Sequence, residues 1–197
     1  MKNIVIGLIL LLPFAVNATI ISGDFRTEAD LPYCCARSGP LVYENLGATV
    51  GAGAELTDAN FVANPSNWGG GVVHMDLDAT TNILTLDSQD DMDFQTFDAW
   101  ISNISFDTTG EIITGVSLIS GNLTDLGLTA IIEFTDTSIH IAYDFVADSG
   151  GFFFTETQAL FQITTRSNSS PVPTPASIAL LGLGLVGMAL TRKKKAI

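Results

Sequence analysis

Histidine, cysteine and, away from the two ends, cationic side chains are all scarce in this chain of 197 residues. Its two histidines, His74 and His140, stand alone, and neither sits in an H-E-x-x-H pattern. A transition-metal site would need two sheets to converge and bring both histidines to one acid. A G-x-S-x-G elbow and a phosphate-binding glycine loop are missing too, which removes the usual signs of acyl transfer and nucleotide binding. The only cysteines are neighbours, Cys34 and Cys35, in "DLPYCCARSG". Adjacent Cα atoms lie ~3.8 Å apart, below the usual disulfide range of ~4.4–6.8 Å, so a vicinal bridge requires distortion. A bridge of that kind, pairing between molecules, and free thiols stay open, with a locally stiffened loop as the simplest reading.

The shortage of cations is the most restrictive absence. Lys2, Arg192, Lys193, Lys194 and Lys195 lie close to the ends, leaving Arg26, Arg37 and Arg166 within residues 19–191. Against them stand all 21 Asp and Glu, a formal charge of −18 for that stretch. Such a body repels phosphate backbones, which argues against nucleic acid as a partner. It also resists anionic membranes and other copies of itself. Apolar residues recur throughout it, so the charge does not imply disorder.

Helical periodicity is absent as well, and what stands in its place is alternation. In "LTAIIEFTDTSIHIAYDF", Leu128, Ala130, Ile132 and Phe134 share one face. Ile139, Ile141, Tyr143 and Phe145 share a face of the next segment. Pairing Phe134 with Ile139 sets Ile132 opposite Ile141, Ala130 opposite Tyr143, Leu128 opposite Phe145 and, on the solvent side, Glu133 opposite His140. A second hairpin places Val73, Met75 and Leu77 with Leu84 and Leu86 around the turn "DATTN". A third is expected around "DTTG", with Trp100, Ser102, Ile104 and Phe106 on one face and Ile112, Val116 and Leu118 on the returning strand. "GGFFFT" and "TQALFQITT" read as a further pair. Residues 27–71 read as loops with one or two short strands, being rich in Gly, Ala, Asn and Pro. Seven or more strands with short turns predict an all-β fold, an antiparallel β-sandwich of jelly-roll-like or immunoglobulin-like kind.

Chemistry-bearing residues are few. Asp87, Asp90, Asp91 and Asp93 in "DSQDDMD" are the carboxylates a calcium ion would take, though the stretch lacks the central Gly and closing Glu of the helix-loop-helix loop. A solvated acidic face is the simpler reading, and no cofactor is expected beyond that calcium. Trp68, in the Gly-rich "NPSNWGGG", is the candidate aromatic for stacking on a saccharide, or else a cap on the core. Glu133 and Glu156 are the only acids nominated as a glycosidase pair, and in so acidic a chain that nomination is unspecific.

The ends carry address information. Lys2, the apolar run Ile4 to Val16 and the small residues Val16 and Ala18 have the layout of a signal peptide, with cleavage between Ala18 and Thr19 by signal peptidase. The expected division is 1–18 signal peptide, 19–166 acidic ectodomain, 167–175 Pro/Ser linker, 176–191 transmembrane helix and 192–197 basic cytoplasmic tail. Arg192, Lys193, Lys194 and Lys195 would stop transfer and hold that tail inside.

The closing stretch "VPTPASIALLGLGLVGMALTRKKK" joins a proline-flanked motif, a Leu/Gly-rich helix and a basic stop. In these roughly 26 residues the chain resembles the PEP-CTERM family, the exosortase substrates of Gram-negative bacteria. The motif is Val172, Pro173, Thr174 and Pro175, with Thr174 where the name-giving Glu usually sits. The resemblance implies export, transient anchoring in the inner membrane with the body outside, and cleavage near the motif by a membrane-embedded, cysteine transpeptidase-like exosortase. It also implies release to the cell surface or an exopolysaccharide matrix. The expected function is therefore that of a non-enzymatic surface or matrix protein. A carbohydrate-binding or adhesive module that meets extracellular polysaccharide, with calcium in support, is the alternative, and an extracellular hydrolase the weaker one.

Overall fold

Period-two alternation of Val, Ile, Leu, Phe and Thr with polar residues builds strands through most of the described chain, the exception being a short 3-10 turn at Asp58–Asn60. The computed structural model describes residues 18–30, 39–65, 67, 71–89, 93, 94, 96–124, 128–144, 152, 153 and 157–167, with 93–94 and 152–153 by backbone alone. The strands are β1 (Ile20–Asp30), β2 (Leu41–Thr49), β3 (Phe61–Ala63), β4 (Val73–Asp78), β5 (Ile83–Ser88) and β6 (Asp93–Phe94). They continue with β7 (Thr96–Phe106), β8 (Glu111–Gly121), β9 (Ile131–Thr135), β10 (Ser138–Asp144), β11 (Phe152–Phe153) and β12 (Gln158–Ser167). Among the described residues no helix is long and apolar enough to cross a membrane. The expected signal peptide up to residue 17, the linker beyond Ser167, the span 176–191 and the basic tail lie outside the described residues.

Two antiparallel sheets form the body. The larger has the order β3-β2-β1-β7-β10-β9, the smaller β4-β5-β12-β8, and β6 pairs with β11 apart from both. A single apolar cluster draws Phe25, Phe97, Ile101, Ile139, Ile141 and Tyr143 from the larger sheet. It draws Met75, Leu77, Leu84, Leu86, Phe161 and Ile163 from the smaller one, so the sheets share one core. Each fully buried side chain of this size removes roughly 1.5–3 kcal/mol worth of apolar surface from water. Gly23 allows close approach within this core, since a Cβ there would meet Ile101 Cγ2 at 2.9 Å.

The β4 edge of the smaller sheet is covered by the segment between β2 and β3. Leu56 and Met75 exchange backbone hydrogen bonds of 3.2 and 3.0 Å. Next to them Leu77 N donates to the Glu55 carboxylate at 2.8 Å. The edge donors Met75 N and Leu77 N are thereby satisfied without another strand.

The β4–β5 hairpin forms as read, with Met75 opposite Leu86 and Leu77 opposite Leu84. So does β9–β10, with Phe134 opposite Ile139, Ile132 opposite Ile141 and His140 opposite Glu133. Its ladder ends at Ile131 opposite Ala142, so Ala130 and Leu128 pack beyond the strand and Phe145 lies outside the described residues. As the outer strand of the sheet, β9 keeps Phe134 43% exposed.

Four expectations need correction. β7 and β8 do not form a hairpin: β7 lies between β1 and β10, whereas β8 joins β12 in the other sheet. Their turn therefore carries the chain across the core. Nor do Trp100 and Ser102 share a face with Ile104. Asn103 adopts φ 52, and this left-handed residue shifts the strand's phase. Phe97, Ala99 and Ile101 are buried before it and Ile104 after it, which turns Trp100 and Ser102 outward. The strands at 152–153 and 158–167 pair with β6 and with β5 and β8, not with each other. Finally, the region read as loops with one or two short strands holds β2 and β3, but β2 is not short: it runs nine residues, with Leu41, Val42 and Tyr43 buried.

Candidate functional site

The larger sheet turns one face to the core and the other to solvent. Across the open face the pairing aligns one row through five strands. Glu44 faces Arg26, Arg26 faces Trp100, Trp100 faces His140, and His140 faces Glu133. At about 4.8 Å between strands the row is ~19 Å long. It joins the half-buried Trp100 to Arg26, one of three cations in residues 19–191.

Close contacts hold the row in place. The rings of Trp100 and His140 stack with centroids 4.9 Å apart and an interplanar angle of 3°. His140 Nε2 lies 2.8 Å from Asp98 Oδ1, and Nδ1 lies 3.6 Å from Glu133 Oε2. Burial pushes the Asp98 carboxyl above the ordinary aspartate range, partly offset by the hydrogen bond from His140. On the other side of Trp100, Arg26 Nη1 donates to Glu44 at 2.8 Å and Nε to Glu28 at 2.9 Å. A guanidinium gripped by two carboxylates holds a fixed orientation, and its charge is largely answered.

Trp100 stands as a ridge between two shallow clefts. One, of about 420 Å³, is lined by Trp100, Ser102, Glu133, Thr135, Ser138 and His140. The other, of about 300 Å³, is lined by Asp24, Arg26, Glu28, Glu44, Leu46 and Trp100. An indole ridge flanked by fixed hydrogen-bonding groups offers an apolar surface and directed polar partners side by side.

The residues nominated from sequence fare unequally. His140 forms the cross-strand polar pair with Glu133 that the hairpin requires. His74 faces outward from the smaller sheet, opposite Asp87 and 3.7 Å from Asp58, so the two histidines belong to different sheets. Asp87 accepts from Gln89 Nε2 at 3.0 Å. Asp90, Asp91 and the side chain of Asp93 lie outside the described residues, as do Cys34, Cys35, Trp68, Glu156 and the whole motif from Val172 to Lys195. Among the described residues no group of three or more His, Cys, Asp or Glu side chains is placed to hold a metal ion. Of the expected signal cleavage pair, Ala18 is buried and Thr19 precedes β1. Trp100 was missed as a surface residue because the strand appeared to alternate without interruption through Asn103. Asn103, placed between Ser102 and Ile104 in mid-strand, was the available warning, since Asn enters the left-handed region more readily than most residues.

Comparison with known families gives one match. Residues 171–194 match the family model of the PEP-CTERM protein-sorting motif. The match covers the C-terminal segment and leaves the strand body untouched. No curated protein and no solved structure matches the chain.

Proposed function

We propose that this chain, exported and sorted by exosortase through its PEP-CTERM motif, is a non-enzymatic protein of the cell surface or extracellular matrix with a β-sandwich body. The observation that carries the reading is the match over residues 171–194. It supplies an address, and the acidic body, mostly strands among the described residues, carries no competing catalytic motif in its sequence. In this reading an N-terminal signal peptide is removed after Ala18, and residues 176–191 hold the chain in the membrane until it is cut near Val172–Pro175. Mass spectrometry of the mature C-terminus, in hosts with and without the sorting peptidase, tests it. Loss of residues 176–197 only where the peptidase is present is expected. An intact tail in both strains would sink the processing step.

A second reading, binding of a neutral polysaccharide, is favoured by the row across the open sheet face. The indole of Trp100 would stack on the apolar face of a pyranose, while Glu28, Glu44 and Arg26 take its hydroxyls. Excess carboxylate in the clefts disfavours uronate-rich chains. Retardation in native gels cast with a neutral glucan is expected, and Trp100→Ala should abolish it while leaving thermal stability within about 1 kcal/mol. Equal mobility of the variant and the wild type in such gels would end this reading. The hydrolase alternative gains no support, since Glu133 is a 74% exposed side chain paired only with His140 among the described contacts.

A further inference from the structure

We infer that Asp107 is the receptor for the α-ammonium that leader cleavage creates at Thr19. The inference rests on the export reading, which supplies the cut. Thr19 N lies 3.0 Å from Asp107 Oδ1, and Asp107 N returns a hydrogen bond to Thr19 O at 3.0 Å. Asp107 follows β7 directly, in the turn leading to β8, and Thr108 Oγ1 donates to the same Oδ1 at 3.1 Å. The carboxylate is therefore oriented before any charge arrives.

In the uncut chain Thr19 N is an amide with a single hydrogen to give. Hydrolysis of the Ala18–Thr19 bond adds water across it. The hydroxyl goes to the Ala18 carbonyl carbon, the C–N bond breaks, and the nitrogen becomes protonated. The leader departs with an Ala18 carboxylate, and the body begins with an ammonium at the position that already faces Asp107. One neutral hydrogen bond becomes a charge-assisted one.

A second observation points to the same place. Ala18 is 3% exposed, and its carbonyl accepts from Asn82 Nδ2 at 3.0 Å. Asn82 is itself 4% exposed, and its Oδ1 has no hydrogen-bond partner among the described residues. The backbone of Asn82 is held by Asp78 O at 2.8 Å and by Ile163 N at 2.9 Å, so this side chain cannot retreat. Departure of Ala18 vacates a slot beside Thr19. A half turn of the Asn82 amide then presents its unused acceptor to that slot. The new ammonium thus finds one anionic and one neutral acceptor, and the buried amide regains a partner.

The sequence makes the test selective. No lysine occurs between Thr19 and Arg192, so the α-amine is the only primary amine in the tryptic peptide Thr19–Arg26. The exported protein is purified, its first residue is determined, and acylation of that peptide by a succinimidyl ester is timed at pH 7.5. An ammonium paired with an exposed carboxylate should react about threefold more slowly than in Asp107→Asn. Asp107→Glu should restore the slow rate, and all three proteins should react alike in urea. Equal native rates for wild type and Asp107→Asn overturn the docking. A first residue other than Thr19 overturns the cut itself, and is read separately from the same sample.

Discussion

Glu55 is a carboxylate buried to 5% exposure, while among the described side chains every other acid but Glu111 keeps clear contact with water. It has a structural reason to be there: Oε2 accepts from Leu77 N at 2.8 Å and Oε1 from Gly51 N at 3.1 Å. Removing it strands the Leu77 donor at the edge of β4, so Glu55→Ala should cost about 1–3 kcal/mol in urea unfolding, with the slope unchanged. Burial pushes this carboxyl above the ordinary glutamate range despite those two donors. The unfolded chain therefore ionises first as pH rises. The stabilisation tied to this group is greatest below the ordinary glutamate value and is lost as pH climbs through the raised one. The gap between wild type and Glu55→Ala should be wider at pH 4 than at pH 7. A gap that widens with pH would mean that the two backbone donors outweigh burial.

At the scale of elements, Asp24 shows the opposite sign. Its carboxylate ties three strands together, accepting from Gly47 N in β2 at 2.6 Å and from Asn103 Nδ2 in β7 at 2.6 Å. Gly47 and Asn103 both have positive φ, 64° and 52°, so this clasp sits where the ladders of β1 change register. The hydrogen bond from Asn103, then that from Gly47, holds the carboxyl below the ordinary aspartate range. Its stabilisation is present above the unfolded value and is lost as pH falls through the lowered one. Asp24→Ala should cost about 1 kcal/mol at pH 7, the clasp being solvent-exposed, and the difference should fade in urea titrations taken below pH 3. A difference that persists there would place the effect in packing rather than in the carboxylate. The same clasp marks the limit of what sequence shows. The hairpins β4–β5 and β9–β10 were legible because their partners are neighbours and their alternation is unbroken. β7 was misphased because one Asn in the left-handed region reverses the faces that follow it. The row through Trp100 was invisible for a different reason: it depends on β1 lying beside β7, a pairing between segments some seventy residues apart that no local pattern encodes. The sorting motif needed no fold at all, because a proline-flanked motif, an apolar run and a basic stop are recognised as sequence.

For the molecule as a whole, the charge imbalance is the dominant physical fact. Three arginines face 21 carboxylates within residues 19–191, and the structure answers Arg26 with Glu28 and Glu44. Most remaining acids therefore repel one another across the surface, a cost carried by the folded state because unfolding separates them. Salt should relieve it: the screening length falls from ~30 Å at 0.01 M to ~3 Å at 1 M. Raising sodium chloride across that range should lift the thermal midpoint by roughly 2–5 °C, the shift that about 1 kcal/mol produces in a domain of this size. Calcium chloride at matched ionic strength separates screening from binding. Equal midpoints in the two salts mean that the acidic surface is only screened, and that Asp87, Asp90, Asp91 and Asp93 hold no ion. A further rise specific to calcium, not reproduced by magnesium and removed by Asp87→Asn, would instead make that loop a calcium site and the export environment its source of metal.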